Sequence, residues 1–430
     1  MFAIQSNLNK TRLKNNRIVV WISKFIKKTR NGCWRFDMNY PLENIRVLDL
    51  STMYPGPLCT MMLADFGAEV IRIEPTKGGD LWRNSLPHIE GLGMPYLQVN
   101  RNKKSIELNL KEEEGRKIFY KMAESADVIV EQYRPGVAAR LGIDYETIHR
   151  INPKIVYCSI SGFGQDGPYR LLSGHDLNYI SYAGILGLSA RKGERPVIPG
   201  VQIGDIGGGA LYAAIGILIA LLGVKAGGKG QYVDTAMLDG AVSLMSWNGS
   251  SYLANGQAAE PEGNILLGQL ACYNVYETKD KRYISIGAVE AHLWQNFCVL
   301  IGKPEYVAWQ RDLSKQDEMR AHITDLFRSK TLDEWKKALA DVDCCWSPVA
   351  SVGEALEDPQ VLHRKMVVEM EDPQGQYGKV KMIGSPIKLS ETPARQELFP
   401  PRKGEHTQQV LRACGYSDEQ IQEFLKKGII

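Results

Sequence analysis

The hydrophobic pattern of the first part of the chain alternates between short β-rich runs and helical segments. The runs are IRVLDLS at 45–51, EVIRIE at 69–74, SIELNL at 105–110, DVIVE at 127–131 and KIVYCSIS at 154–161. Between them the spacing predicts an apolar helix through Phe66, a charged helix over 111–124 and a short helix near 145–150. Strands that alternate with helices in this way form a parallel sheet covered by helices on both faces. Such sheets bind ligands at the carboxyl ends of their strands, so we expect the functional site there.

Beyond Gly227, a strand GQYVDTAML and a helix to about Leu253 precede an irregular stretch over 254–271, and a second α/β portion is predicted after it. This portion has the strand KRYISIGAV, helices at 291–300, 317–329 and 332–340, and hairpin-like strands near 366–371 and 379–382. The fold class is therefore predicted to be α/β, with a Rossmann-like parallel-sheet lobe and a second, smaller α/β lobe. The predicted divisions are a basic extension over 1–37, a large domain over 38–263, a small domain over 264–378 and a return segment with a helix over 379–430.

The run from Ile206 to Gly223 has eighteen uncharged residues, which is the lower limit for crossing a bilayer. Its five glycines, the acidic Asp205 at its head and the lack of a second such run favour a buried core helix. We therefore expect no membrane contact.

The formal net charge of +3 comes from the first 37 residues, which hold nine basic residues and one acidic residue. The rest of the chain holds 43 basic and 48 acidic residues, so it offers no general attraction for nucleic acid, and we expect no nucleic-acid partner. The basic head could be a mitochondrial transit peptide. The favoured interpretation is that translation starts at Met38 and that the protein is cytoplasmic.

Two further signals in the sequence are weaker. The eight cysteines are scattered without a CxxC pair or a histidine at ligand spacing, which predicts reduced thiols and no metal site, although a catalytic thiol stays open. The motif Gly162-Phe-Gly164-Gln-Asp-Gly167 formally matches a dinucleotide loop. It follows a late strand and runs into Pro168 rather than into a helix, which favours a simple loop.

Three ionisable residues stand at strand ends or helix starts. Asp205 heads a glycine-rich apolar helix, whose unsatisfied N–H groups should favour the ionised carboxylate. His175 precedes the predicted helix DLNYISYAGILGL, whose positive end should favour a neutral imidazole, with Asp176 as the helix cap. Glu290 follows a strand. By themselves, these residues could also be an ordinary cap, a loop histidine and a solvated glutamate.

Nine ordered motifs give the sequence a family resemblance. They are PLENIRVLDLS with YPGP, FGAEVIRIEP followed by GGD, NRNKKSIELNL, DVIVEQYRPGVAARLG, SISGFGQDGP, GHDLNY, GDIGGG, GKGQYVDTAMLDG and GSPIKLSETPA. Over about 41–394 the chain resembles the class III CoA-transferase superfamily, which includes the carnitine dehydratase and bile-acid-inducible enzymes. The similarity is greatest to its alpha-methylacyl-CoA racemase branch.

The resemblance implies roles for the three ionisable residues. In racemases His175 and Asp205 would be the two acid/base groups on opposite faces of the substrate's α-carbon, and Glu290 would orient the histidine. In transferases the resemblance assigns Asp205 alone, as the nucleophile that forms an acyl-aspartyl anhydride. The spacing of 30 residues from His175 to Asp205 and of 85 to Glu290 agrees with the racemase pattern. We therefore expect a racemase, with a CoA transferase as the alternative.

The resemblance also implies the ligand, the partner and the contacts. Coenzyme A is expected as part of an acyl-CoA substrate, with no prosthetic group, and the protein is expected to form an interlocked homodimer. The expected coenzyme A contacts are Tyr54, Arg72, Lys104, Lys111, Gln132, Tyr133, Arg134 and Arg140. Several transferases carry an arginine directly after the glutamate that here is Glu74. This chain has Pro75 at that position, and Lys77 is the expected substitute. Leu266, Leu267 and Leu270 are candidates for the wall of an acyl pocket.

Overall fold

The computed structural model describes residues 26–28, 34–36 and 40–430. The predicted basic extension over 1–37 lies largely outside these ranges. Of that extension, only the antiparallel strand pair Ile26–Lys28 and Trp34–Phe36 is described.

A six-stranded parallel sheet forms the centre of the large lobe, as the alternating pattern predicts. All five strand pairings in it are parallel. The strand order across the sheet is Tyr232–Ala236, Val156–Ser161, Val128–Glu131, Arg46–Asp49, Glu69–Glu74 and Lys103–Glu107. The order reverses next to Arg46–Asp49, because the chain adds strands first on one side and then on the other. Ligand crevices of open α/β sheets lie beside such a reversal.

Helices pack on both faces of this sheet, so the side chains of its inner strands, which alternate between the faces, are buried on both. Val47 belongs to one core cluster, with helix Leu211–Lys225. Leu48 belongs to the other, with helices Glu113–Ala123 and Asp418–Lys426. The C-terminal helix therefore completes the core of the large lobe.

The predicted helices of the large lobe are present and the structure adds others, while the predicted helix DLNYISYAGILGL is divided into Asp176–Tyr182 and Ile185–Leu188. The helix bounds in this lobe are Pro55–Asp65, Met94–Gln98, Glu113–Ala123, Val137–Leu141, Tyr145–Ile151, Asp176–Tyr182, Ile185–Leu188, Leu211–Lys225, Met237–Leu244, Ser246–Asn255, Thr407–Ala413 and Asp418–Lys426. A π-helical segment, Ile203–Ala210, precedes the apolar helix, and a 3-10 turn covers Leu81–Asn84.

The small lobe has a three-stranded antiparallel sheet with its own core. The strands are Tyr273–Glu277, Tyr283–Gly287 and Trp346–Pro348. The helices are Ala291–Leu300, Tyr306–Trp309, Gln316–Phe327 and Leu332–Leu339. The aromatic side chains Trp294, Phe297, Phe327 and Trp335 are buried together in this core.

The structure corrects the predicted boundary at 378/379. Strands Val367–Glu371 and Lys379–Ile383 form an antiparallel hairpin, so the boundary separates two paired strands. Met370 and Val380 of this hairpin pack with Tyr96 of the large lobe, and not in the small-lobe core. Two short helices, Val352–Glu357 and Pro359–His363, precede it along the chain.

The apolar helix Leu211–Lys225 is only half buried, so the prediction of a core helix is correct for one face only. The buried face consists of Ala213, Ala214, Ile217, Ala220 and Leu221. The opposite face exposes Leu211, Ile215, Leu218, Ile219 and Leu222. With the preceding π-helical segment, the helix is long and apolar enough to span a membrane, by length and composition alone. In the described chain, its buried face packs against the parallel sheet.

Candidate active site

A polar cavity of about 490 Å³ opens at the carboxyl ends of three neighbouring strands. Its walls come from the segments that follow these strands, at 52–55, 132–135 and 161–163. His175 and Asp205 complete the lining from outside the sheet. The site therefore lies at the end of the sheet that the sequence predicts.

One wall of the polar cavity is held by Asp80. Its carboxylate accepts hydrogen bonds from the backbone N–H groups of Met53, at 3.0 Å, and Trp82, at 2.9 Å. Met53 has a left-handed backbone (φ 63°), which turns the chain into the next residue, Tyr54. The rings of Tyr54 and Trp82 then lie 4.9 Å apart, centroid to centroid. Two aromatic side chains are thus fixed at the cavity by a single carboxylate.

The segment after strand Val128–Glu131 forms a second wall. The buried carboxyl group of Glu131 accepts the Tyr133 backbone N–H at 2.6 Å, and burial raises the pKa of Glu131 to about 7. Gln132 Oε1 accepts the Gly56 N–H at 3.2 Å, which links this wall to the helix Pro55–Asp65. Arg134 donates from Nη2 to the Ser173 hydroxyl at 2.7 Å. The predicted residues Tyr54, Gln132, Tyr133 and Arg134 therefore border one cavity with His175 and Asp205.

Asp176 connects the two segments that carry the ionisable pair. His175 stands immediately before helix Asp176–Tyr182, and its backbone N–H donates to Asn178 Oδ1 at 3.0 Å. Asp176 Oδ1 accepts the backbone N–H groups of Gly204 at 2.6 Å and Asp205 at 3.1 Å. Asp176 is therefore more than the cap that the sequence predicts, since it fixes the backbone at Asp205.

The carboxyl group of Asp205 has an environment opposite to the predicted one. Asp205 is the third residue of the π-helical segment Ile203–Ala210, and not the cap of a regular helix. Burial first, and then the negative charge of Asp176, raise the pKa of Asp205 to about 6, while His175 opposes the rise. The predicted stabilisation of the ionised carboxylate, which would lower this pKa, is therefore wrong. Near neutral pH this carboxyl group can both give and take a proton.

Two tyrosines report the position of Asp205 in the cavity. Burial and the Asp205 charge together raise the pKa of Tyr179 to about 12, and they also raise the pKa of Tyr54. Both tyrosines line the same cavity as Asp205. The carboxyl group of Asp205 therefore shares the cavity with two phenol groups and lies close enough to influence both by its charge.

The glycines after Asp205 allow close helix packing. A methyl group on Gly208 would lie 2.4 Å from the backbone oxygen of Met237, and one on Gly240 would lie 2.3 Å from the oxygen of Gly208. Only glycine permits this approach of the π-helical segment to the helix Met237–Leu244. The GDIGGG motif thus sets where Asp205 stands relative to the sheet.

Two of the predicted coenzyme A contacts occupy other sites. Arg72 is fully buried in ion pairs with Asp80 and Glu74, so a contact with phosphate would require these pairs to break. Lys104 pairs with Glu69 at 2.6 Å and borders a separate cavity, next to residues that begin strands. That cavity lies at the amino ends of the sheet, opposite the polar cavity.

The remaining predicted residues are exposed and lie outside the polar cavity. Lys111 is in the turn before helix Glu113–Ala123, and Arg140 is on helix Val137–Leu141. Glu290 stands at the start of helix Ala291–Leu300 in the small lobe. Within the described chain it does not reach His175, and its orienting role stays a prediction. Leu266 and Leu267 border a small-lobe cavity and Leu270 is in the small-lobe core, and their role as an acyl wall stays a prediction.

Sequence reasoning missed Asp80, Trp82 and the linking role of Asp176. Asp80 ends the GGD motif and Asp176 ends GHD, so both stood inside motifs that had been singled out. Trp82 carried no signal of its own. The cysteines give no support for a catalytic thiol, because none of those in the described part of the chain lines the polar cavity.

Comparison with known proteins identifies the family. Residues 42–407 match CoA-transferase family III. The chain is 33% identical to human succinyl-CoA:glutarate CoA-transferase, with 93% of each chain covered. It is also 33% identical to mouse alpha-methylacyl-CoA racemase, with 90% of this chain and 97% of the racemase covered.

A solved structure supports the same assignment. The crystal structure of a CAIB/BAIF family protein from Brucella suis superposes with a TM-score of 0.76 at 29% identity. The match covers 87% of this chain and all of that one. The protein is therefore an enzyme of CoA-transferase family III.

Proposed function

We propose that this enzyme racemises 2-methylacyl-CoA thioesters by moving the α-proton from one face of the substrate to the other. The observation that carries the proposal is that His175 and Asp205 border one cavity and interact electrostatically. The relatives include racemases and CoA-transferases at nearly equal identity, so the proposal rests on the chemistry of the site rather than on the relatives.

Racemisation beside a thioester carbonyl requires one base on each face of the α-carbon. One base removes the proton, the electron pair moves to the carbonyl oxygen to form an enolate, and the conjugate acid on the other face returns a proton to carbon. A group with a pKa of about 6, such as Asp205, can hold or release that proton near neutral pH. The imidazole of His175 is the complementary group. Each such group contributes about 10²–10⁴-fold to the rate.

The other parts of the substrate need groups that do not titrate. The enolate oxygen requires hydrogen-bond donors aimed at its developing charge, because such donors lower the barrier most. Arg134 and Arg170 line the polar cavity, and we assign them to the phosphates of coenzyme A. Coenzyme A enters as part of the substrate.

The proposal is tested by α-proton exchange. Each enantiomer of a 2-methylacyl-CoA is incubated in D₂O, and deuterium at the α-carbon is measured by mass spectrometry together with free CoA. We expect exchange without loss of CoA, loss of exchange from one face in His175→Ala, and loss from the other in Asp205→Asn. CoA transfer without any α-proton exchange would contradict the proposal.

The second candidate is a CoA transferase, which the carboxylates beside the cavity favour. In that reaction a carboxylate attacks the thioester carbonyl, the CoA thiolate leaves and an acyl-aspartyl anhydride forms. Attack of hydroxylamine on the aspartyl carbonyl of this anhydride should leave an aspartyl hydroxamate on the enzyme and release the free carboxylic acid, and peptide mass spectrometry would tell Asp205 from Asp176. His175→Ala should retain much of that activity.

We further propose that the enzyme is a homodimer. The exposed apolar face of helix Leu211–Lys225 supports this, because a continuous row of leucine and isoleucine side chains is costly to leave in water. Light scattering at micromolar concentration should give twice the chain mass. Ile219→Lys should shift the protein toward monomer, whereas Val299→Lys, an equally exposed change in the small lobe, should not. A monomer in the unchanged protein would refute the proposal.

A further inference from the structure

A second, larger cavity of about 740 Å³ adjoins the polar cavity. Three residues line both cavities: Tyr54, Trp82 and Asp205. The paired rings of Tyr54 and Trp82 therefore form a partition, and Asp205 stands at the junction. The large cavity is otherwise bordered mainly by apolar side chains, among them Leu58, Met62, Val99, Ile206, Met366 and Ile383.

Three of the polar side chains in this wall, those of Asp65, Gln98 and Arg101, are engaged with protein partners. Arg101 and Asp65 form a buried ion pair with N–O distances of 2.9 and 2.6 Å. Gln98 accepts the Ile383 N–H at 2.9 Å and donates to the Lys381 carbonyl oxygen at 3.2 Å. These groups have little to offer a charged ligand, so the cavity suits an apolar one.

The position of Asp205 indicates which apolar ligand this is. In an acyl-CoA the α-carbon lies between the thioester and the acyl chain. A base that acts on the α-carbon must therefore stand where the thioester compartment meets the chain compartment, and Asp205 occupies that position between the two cavities.

We propose that the apolar cavity binds the acyl chain of the substrate and that Leu58 and Met62 determine which chains are accepted. This rests on the proposed function only in taking the ligand to be an acyl-CoA. The volume equals that of about 25 liquid waters, at about 30 Å³ each, which suits a long or branched chain. The substrate class is thus a thioester with a bulky aliphatic acyl group.

The test is a binding series that needs no turnover. Coenzyme A and its S-butyl, S-octyl and S-dodecyl thioethers are titrated into the full-length protein by isothermal calorimetry. Each methylene that enters an apolar cavity should improve the dissociation constant by about fourfold until the cavity is filled. A dissociation constant that does not depend on chain length would overturn the proposal.

The variants Met62→Trp and Leu58→Trp fill the cavity from two positions on helix Pro55–Asp65, where both side chains are half-buried. Each should weaken the S-dodecyl ligand at least tenfold and leave coenzyme A and the S-butyl ligand within twofold. Leu300→Trp, on the small lobe and outside both cavities, is the matched control and should change none of them. Equal weakening of all ligands by a folded Met62→Trp or Leu58→Trp protein would overturn the assignment.

The two proposals fail in different ways. Chain-length selectivity without α-proton exchange would leave the acyl cavity standing and remove the racemase. α-Proton exchange, with a chain-length selectivity that neither Met62→Trp nor Leu58→Trp changes, would support the racemase and remove the acyl cavity.

Discussion

Replacing Asp176 by asparagine should remove a negative charge beside Asp205 and keep the backbone contacts. A single oxygen of Asp176 accepts both the Gly204 and the Asp205 N–H groups, and the amide oxygen of asparagine can accept the same two bonds. The change therefore separates the electrostatic role of Asp176 from its positioning role.

The size of the effect follows from the pKa of Asp205. Burial and the Asp176 charge together raise this pKa from 3.8 to about 6, with burial as the larger cause. Burial persists in the variant, so we expect the pKa of Asp205 to fall by roughly one unit, equivalent to about 1.4 kcal/mol. The sign is fixed because removing a neighbouring negative charge makes ionisation of the carboxyl group easier.

The assay is the initial rate of α-proton exchange as a function of pH. Abstraction by Asp205 requires the ionised carboxylate, so the rate from its face should rise with pH and reach half of its plateau near pH 6 in the unchanged enzyme. In Asp176→Asn this midpoint should move to about pH 5. The plateau should fall by a few fold, since a weaker base abstracts more slowly. Abstraction from the opposite face is the internal reference.

Two results would refute this reasoning. A midpoint that stays in place or rises would mean that Asp176 does not influence the Asp205 carboxyl group through its charge. Complete loss of exchange in a folded protein would mean that Asp176 takes part in the chemistry itself. Asp166→Asn, an exposed carboxylate change, is the control and should leave the profile unaltered.

Three stability predictions can be checked by urea unfolding. Gly208→Ala should lower the free energy of unfolding by about 1–3 kcal/mol, because its methyl group meets backbone, whereas Gly187→Ala meets open space and should not destabilise the protein. Arg101→Leu should cost about 3–5 kcal/mol, since it leaves Asp65 buried without its ion-pair partner. Burial raises the pKa of Glu74, but Arg83 and Arg72 outweigh it and hold this pKa below its ordinary value. The ionised Glu74 therefore stabilises the folded protein, and this stabilisation is fully present above about pH 4.3. The free energy of unfolding should decline as the pH falls further, and a flat profile between pH 5 and 3 would contradict this.

Local elements were predictable where one kind of contact decides them. The strand Glu69–Glu74 lies between Gly67 and Pro75, and its β-branched residues Val70, Ile71 and Ile73 favour a strand. The helix Ala291–Leu300 begins and ends at the predicted residues. The hairpin at 367–383 was also predicted, but its packing against the large lobe was not, because which lobe covers an amphipathic hairpin depends on surfaces distant in sequence.

The site shows the same division. The motifs GHD and GDIGGG identify His175 and Asp205 as the candidate pair, although 30 residues separate them. The raised pKa of Asp205 could not be read from the sequence, since it depends on burial and on a through-space neighbour. A helix-end argument alone predicted the opposite sign.

The sequence by itself determined the alternation of strands and helices, the position of the site at the carboxyl ends of the sheet and the chemical types of its residues. Only the tertiary structure decided which basic residues reach the site. Arg72 and Lys104 both belong to strands of the sheet, yet one is buried in ion pairs and the other lies at the amino ends. The amino-acid composition of a strand does not show whether a basic residue on it will reach the site at the carboxyl ends of the sheet. The acidic partner that neutralises such a residue comes from a distant segment of the chain. These choices are made by packing and by the distances between charges, which exist only in the folded chain.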